Sequence, residues 1–356
     1  MNKRMVALLA GAAVATALSA GVANAQVSPG NPGKEAEASR DLALGADLAK
    51  RKVTPIAPVK VDEANRDLGM PDEGAMVDGF TTISRSFGDG KETKTPASEE
   101  MRGLIKDSLK PGEGDAPSGV KDEEGIDPNR QVFGDDDRVQ ISETSKFPFR
   151  VIGQLWTKVD DENWGSCSAT LIGPSTIITA AHCIYSHDHG GWGQAAEFYP
   201  GLDGENAPFG VANVTNANIL EGFVSQYKDN YGSVVAYDLA VLELDAKTGD
   251  ELGWMSFGSF AKPAGFTANI VGYPGDKPAS TMWRASCDVN EQDFNETNFA
   301  YLCDTYPGSS GSSVYLYNKD KKERVILGVN IAENPQFNLA TRLNAAYFKW
   351  VQDLAK

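Results

Sequence analysis

TIITAAHC, residues 176–183, runs an apolar, β-branched stretch directly into a histidine and a cysteine. The β-branched residues of TIITA predict an apolar strand that leads to His182. His182 therefore stands at a strand end, beside Cys183. A disulfide at Cys183 would fix the backbone next to the imidazole. A lone histidine is usually a satisfied structural residue. Here only three histidines exist, and His187 and His189 follow in the polar stretch SHDHGG. If the chemistry needs an imidazole base, His182 is the best-anchored candidate.

The surroundings carry the same texture. From Gln131 onward, FRVIGQLWTKV, SATLIGPSTIITA, DLAVLEL, TANIVGY, SSVYLY and RVILGV are short β-rich runs separated by Gly, Pro, Asn and Asp. Many short strands at this spacing point to an all-β sandwich or barrel. The last stretch, LNAAYFKWVQDLA, places Leu343, Ala346, Tyr347, Trp350, Val351 and Leu354 at helical spacing, which predicts one C-terminal helix.

Two further stretches complete a chemical set. In AYDLAVLEL, residues 236–244, Asp238 heads an apolar strand. A carboxylate there needs partners, because burying it unpaired is costly. Backbone amides could satisfy it; so could a histidine ring N–H, whose tautomer it would then fix. In CDTYPGSSGSSV, residues 303–314, Gly308 and Gly311 lie among four serines. Such a cluster can be a plain surface loop. Read chemically, Gly-x-Ser-Gly makes Ser310 a nucleophile, with Gly308 and Ser310 supplying two backbone N–H donors to an oxyanion. The order His182, Asp238, Ser310 is one of the known arrangements of a Ser-His-Asp triad.

DDRVQISET, SCSATLIGPSTIITAAHCIY, AYDLAVLEL, VGYPGDK and DTYPGSSGSSV together resemble the chymotrypsin-like serine peptidases, and most closely their bacterial glutamyl endopeptidase branch. The resemblance runs from about Asp135 to Leu354. It implies two six-stranded antiparallel β-barrels with the active site between them, and a serine endopeptidase acting on proteins or peptides without a cofactor. It also directs attention to the substrate pocket. Asp304 stands six residues before Ser310, where trypsin-like enzymes carry the acid that receives Arg or Lys. Asp304-Thr305 also fits the glutamyl branch, in which the threonine serves an acid-binding pocket. That branch adds a histidine in the strand after the nucleophile, and here GVNIAE puts Asn330 in its place, with Glu333 nearby. Preference for Glu/Asp and preference for Arg/Lys both stay open. Ser309 occupies the position of the acid that pairs with a new N-terminus in the trypsin-like branch, so activation by that ion pair is not expected.

The chain has 356 residues and a formal net charge of −16. That balance argues against nucleic acid as a partner. Lys3 and Arg4, the apolar run Met5–Leu18 and the motif Ala23-Asn24-Ala25 read as a signal peptide over residues 1–25. No later stretch has the ~20 apolar residues of a membrane helix, so membrane insertion is not expected. The expected product is secreted or periplasmic. Cys167, Cys183, Cys287 and Cys303 then form disulfides, with Cys167/Cys183 and Cys287/Cys303 as local pairs. Four cysteines allow three pairings, and a metal site is the other option, although no CxxC spacing is present.

Residues 26–130 differ in kind. They hold no Cys, Trp, Tyr or His, and charge, Pro and Gly are scattered through them. This predicts a poorly ordered propeptide that assists folding or delays activity, with short helices at Glu35–Lys50 and Ser98–Leu109. A linker or disordered tail is the other reading. Arg130–Gln131 is the expected cleavage point, which implies an activating protease, and residues 131–356 form the peptidase domain. His187 and His189 with Asp188 have the composition of a metal site, against the alternative of a solvated loop. The competing class is a catalytically silent peptidase-like binding protein of the cell envelope.

Overall fold

The computed structural model describes residues 25–34, 47–61, 71–109, 136–260, 265–333 and 336–355. The expected signal peptide up to Asn24, the expected cleavage point Arg130–Gln131 and most of the first expected helix lie outside the described residues.

The leading stretch is where composition misleads. It forms β1 (Gln26–Ser28), β2 (Lys52–Pro55), β3 (Val59–Lys60), α1 (Glu73–Gly79), β4 (Thr82–Ser86), β5 (Glu92–Thr95) and α2 (Glu99–Ser108). Expected poor order is thus corrected to an ordered layer wherever this stretch is described. The physical reason lies in where its few apolar residues go. Val59, Val61, Met76, Phe80, Ile83, Met101 and Ile105 are buried in the same core cluster as the barrel residues. A segment too polar to form its own core is ordered by adding to a larger one. The helix expected at Ser98–Leu109 is α2, with Ser98 as N-cap accepting from Met101 N–H.

After β6 (Val139–Gln140) come β7 (Ile152–Lys158), β8 (Asn163–Gly173) and β9 (Thr176–Thr179). A small hairpin of β10 (Tyr185–Ser186) and β11 (Gly191–Trp192) follows, then β12 (Ala195–Pro200), β13 (Ala212–Leu220), α3 (Glu221–Ser225) and β14 (Ala240–Leu244). The order β12-β7-β8-β9-β14-β13 returns to β12, closing a six-stranded antiparallel barrel. β4 adds to the outer edge of β13, with Asn216–Leu220 opposite Ser86–Thr82, and β5 pairs with β4.

The second half begins with α4 (Thr248–Leu252) and β15 (Ser256–Ser259). It continues through β16 (Phe266–Gly272), β17 (Trp283–Val289), β18 (Asn298–Tyr301), β19 (Ser313–Asn318), β20 (Glu323–Glu333) and β21 (Asn338–Arg342) to α5 (Ala345–Leu354). Its core strands pair antiparallel as β17-β16-β19-β20-β21-β18. This differs from a second closed barrel: among the described residues no strand ladder joins β18 to β17, and β15 lies parallel to β20. The two ends are instead tied covalently, by the disulfide Cys287–Cys303. α5 buries Ala346, Tyr347, Phe348, Trp350 and Val351, as its periodicity requires.

Candidate active site

β9 delivers Thr179 to a single 3-10 turn, Ala181–Cys183, that carries His182. The disulfide Cys167–Cys183 clamps this turn to β8. Asp238 leaves the 3-10 turn Tyr231–Tyr237 just ahead of β14 and is fully buried. Its carboxylate is satisfied by one partner residue twice over. Oδ1 accepts from the His182 backbone N–H at 3.0 Å, and Oδ2 lies 2.7 Å from His182 Nδ1. The carboxylate thereby fixes both the position and the ring orientation of His182. Thr341 Oγ1 donates to the Asp238 carbonyl at 3.0 Å, which links this corner to the second half.

Ser310 sits on the turn between β18 and β19. Gly308 and Gly311 have φ of +99° and +82°, the left-handed region that a side chain disfavours. A Cβ on Gly311 would lie 2.1 Å from Thr179 Oγ1 and 2.2 Å from the Ser168 carbonyl, so the turn is pressed against β8 and against β9, the strand that leads into His182. Ser168 N–H donates to the Ser310 carbonyl at 2.8 Å, and Ser168 Oγ donates to the Gly308 carbonyl at 2.9 Å.

His182 Nε2 and Ser310 Oγ are both buried and have no hydrogen-bond partner among the described residues. Native proteins rarely leave such atoms unsatisfied, and each exception needs a reason. Other buried atoms share this state, Ser312 Oγ beside the turn among them, but these two belong to the base and the nucleophile that the sequence nominates. The Gly308 N–H, nominated as an oxyanion donor, gives its hydrogen bond to the Ile56 carbonyl at 3.0 Å.

The pocket residues divide. Asp304 is half-buried, and desolvation pushes its carboxyl up to about 6, opposed by Arg138 and reinforced by Asp136 and Asp137. It therefore belongs electrostatically to the segment around Asp136–Arg138, where Arg138 pairs with Asp136 and Asp276. Thr305 follows, also partly buried. Asn330 is buried, and its side chain is already engaged: Nδ2 donates to the Ser309 carbonyl at 3.0 Å and Oδ1 accepts from Tyr301 O–H. It braces the Ser310 turn from behind. Glu333, at the end of β20, is raised by desolvation and lowered by Lys60.

Among the described residues, the close donor cluster does not suit a metal. The close cluster Cys167, His182 and Cys183 has both sulfurs in a disulfide, leaving no thiolate to ligate. His187 stacks on Tyr227 with ring centroids 3.8 Å apart, and its Nε2 lies 2.8 Å from the Phe223 carbonyl. His189 Nδ1 instead lies 3.0 Å from Ser186 Oγ. The HxH pair thus has separate structural partners.

The family model for a trypsin-like peptidase domain matches residues 167–322, spanning both sulfur-anchored corners and the Ser310 turn. A glutamyl endopeptidase of Bacillus licheniformis is 31% identical over 247 residues, 68% of each chain. The chain belongs to the chymotrypsin-like serine peptidases. An extracellular metalloprotease of Bacillus subtilis is also similar to this peptidase, at 30% identity over 62% of this chain and 68% of its own. A solved Glu endopeptidase structure covers 62% of this peptidase and 98% of its own chain, with TM-score 0.54 and 27% identity. As a family member the protein is a serine endopeptidase, and peptides are its substrate class. No helix among the described residues is long and apolar enough to cross a membrane.

Two features of the site escape sequence reading. Ser168 lies in SCSATLIG, a stretch that carries the resemblance but does not mark this serine's own role. The segment around Ile56 lies in a stretch whose composition signals poor order, although Val53, Ile56, Val59 and Val61 recur there among prolines.

Proposed function

We propose that this peptidase is exported as a precursor and hydrolyses peptide bonds through Ser310, His182 and Asp238. Ser310 Oγ attacks the peptide carbonyl while His182 Nε2 takes its proton. The Gly308 and Ser310 amides receive the oxyanion. Asp238 holds the imidazole in the tautomer that leaves Nε2 free and stabilises the imidazolium. His182 then protonates the departing amine, and water releases the acyl group from Ser310. The observation that carries this reading is the pairing of His182 Nδ1 with Asp238 at 2.7 Å while Nε2 and Ser310 Oγ remain buried and unpartnered.

Asp304 and Thr305 belong in this reading to the substrate pocket, and Asn330 supports its wall. Removal of the stretch before Gln131 accompanies maturation. The test uses processed, secreted protein exposed to a fluorophosphonate. Labelling is expected in the native chain and absent in Ser310→Ala. Undiminished labelling of that variant would remove Ser310 as nucleophile. Cleavage of a diverse peptide library by the same preparation distinguishes acidic from basic preference.

A further inference from the structure

Residues 52–61 lie across the candidate active site as an extended strap. β2 runs parallel to β8, ending with Pro55 opposite Ser166. Ile56 N–H donates to the Ser166 carbonyl at 2.8 Å, and the Ile56 carbonyl accepts from Gly308 N–H at 3.0 Å. Val59 and Lys60 then pair, again parallel, with Ala332 and Glu333 of β20. One short segment therefore joins both halves and uses a backbone donor assigned to the oxyanion.

Its seating is specific. Pro55 packs closely over Gly275 and Gly308, and Ile56 over Gly165, three places where a Cβ on the glycine would collide or crowd. Pro58, Val59 and Val61 are buried. A cavity of 660 Å³ remains beside the strap, lined by Ile56, Trp164, His182, Tyr185, Trp192 and Tyr231 among others. The strap thus covers the cleft without filling it.

The direction of the strap decides its role. In hydrolysis the departing nitrogen must lie on the His182 side, because His182 supplies its proton. His182 adjoins the Cys167–Cys183 disulfide and so faces the β8 end of the cleft. In the strap that end holds Lys52–Pro55, the residues before the Ile56 carbonyl. The nitrogen after that carbonyl, in Ala57, continues the other way, towards β20. The bond at the oxyanion donor is presented back to front.

We propose that residues 52–61 are a built-in competitive inhibitor, bound with the polarity opposite to a productive substrate and thereby spared from cleavage. The same groove accordingly takes an extended Pro-Ile-x-Pro peptide as a reverse-bound ligand. This rests on the reading of Ser310 and His182 given above.

The experiment compares fluorophosphonate labelling rates of the unprocessed chain and of its Ile56→Asp/Val59→Asp variant, with processed protein alongside. A strap seated nine-tenths of the time slows labelling about tenfold, so the variant should label about tenfold faster or more. Equal rates in two chains that both label would overturn the strap and leave the Ser310 reading standing. Absence of labelling in all three would overturn both. Because the aspartates could disturb folding, a peptide of residues 50–61 is also added to processed peptidase. Competitive inhibition with the peptide recovered intact supports the proposal. Cleavage after Ile56, or no inhibition at about 1 mM peptide, a weak-binding limit, overturns it.

Discussion

Ser168 and Ser310 meet where the two halves of the molecule touch: the Ser168 N–H donates to the Ser310 carbonyl at 2.8 Å. The Ser168 hydroxyl donates to the Gly308 carbonyl at 2.9 Å and accepts from Tyr273 N–H at 3.0 Å. One side chain from the first barrel thus sets the height of a turn belonging to the second half. Ser168→Ala would strand a buried carbonyl and a buried amide. Expected losses are about 2 kcal/mol in urea unfolding and, through a displaced nucleophile, ten- to a hundredfold in kcat with a smaller change in KM. Unchanged kcat would show that Ser168 does not position the turn.

Removing members of the proposed triad should be non-additive. Ser310→Ala, His182→Ala and Asp238→Asn are each expected to lower kcat/KM by about 10⁴, and a double variant by little more. Steady-state kinetics on a peptide substrate checks this. Multiplying effects in the double variant would mean that the residues act independently.

Gly311→Ala tests the packing of the turn. Its φ of +82° disfavours a side chain, and the new Cβ would meet Thr179 Oγ1 and the Ser168 carbonyl at 2.1 and 2.2 Å. Overpacking and backbone strain together should cost about 3 kcal/mol. An unaltered melting temperature would contradict the close approach described above.

Asp304 gives a pH-dependent prediction. Burial lifts its carboxyl to about 6, above the ~4 of an unfolded chain. The folded state therefore holds this proton more tightly. Its contribution to stability is greatest below pH ~4, declines as pH rises through 6, and levels off as a cost above that. Asp304→Asn should raise the melting temperature at pH ~8 and leave it nearly unchanged at pH ~3.5. A variant that is less stable at the higher pH would show that the carboxylate is stabilised by its neighbours, contrary to the assigned sign.

The disulfide beside His182 closes a loop with a sequence separation of 16. Replacing Cys167 and Cys183 together by Ser should cost about 3 kcal/mol in the chain-entropy description. It should also lower kcat, since the 3-10 turn carrying His182 loses its tie to β8. Denaturant unfolding and kinetics on the same preparation separate the two effects.

Much of this architecture is legible because local pattern and long-range contact agree. TIITAAHC reads as a strand ending in a histidine because its β-branched run forms β9, all four residues of which are buried. LNAAYFKWVQDLA reads as a helix because Tyr347, Trp350 and Val351 fall on one buried face. PGSSGSS reveals its turn because left-handed backbone calls for glycine at two places. Ser168 is hidden because its role depends on a loop about 140 positions later, and nothing local marks it. Asn330 reads as a pocket residue from its position, yet its amide is consumed by Ser309 and Tyr301. Residues 26–130 read as poorly ordered because composition measures what a segment can bury alone. Met76, Phe80, Met101 and Ile105 are buried against partners far away in sequence.

The hairpin of β4 and β5 has one more consequence. Ser86–Thr82 covers the outer backbone of Asn216–Leu220, and Thr82 also receives the Trp350 indole N–H at 2.9 Å. Cutting away the leader would bare that strip of N–H and C=O groups together with an apolar patch beneath it. Uncovered strand margins recruit other strands. The processed peptidase, rather than its precursor, would then be the form that self-associates at high concentration, so storage life would be governed by how thoroughly the severed leader departs.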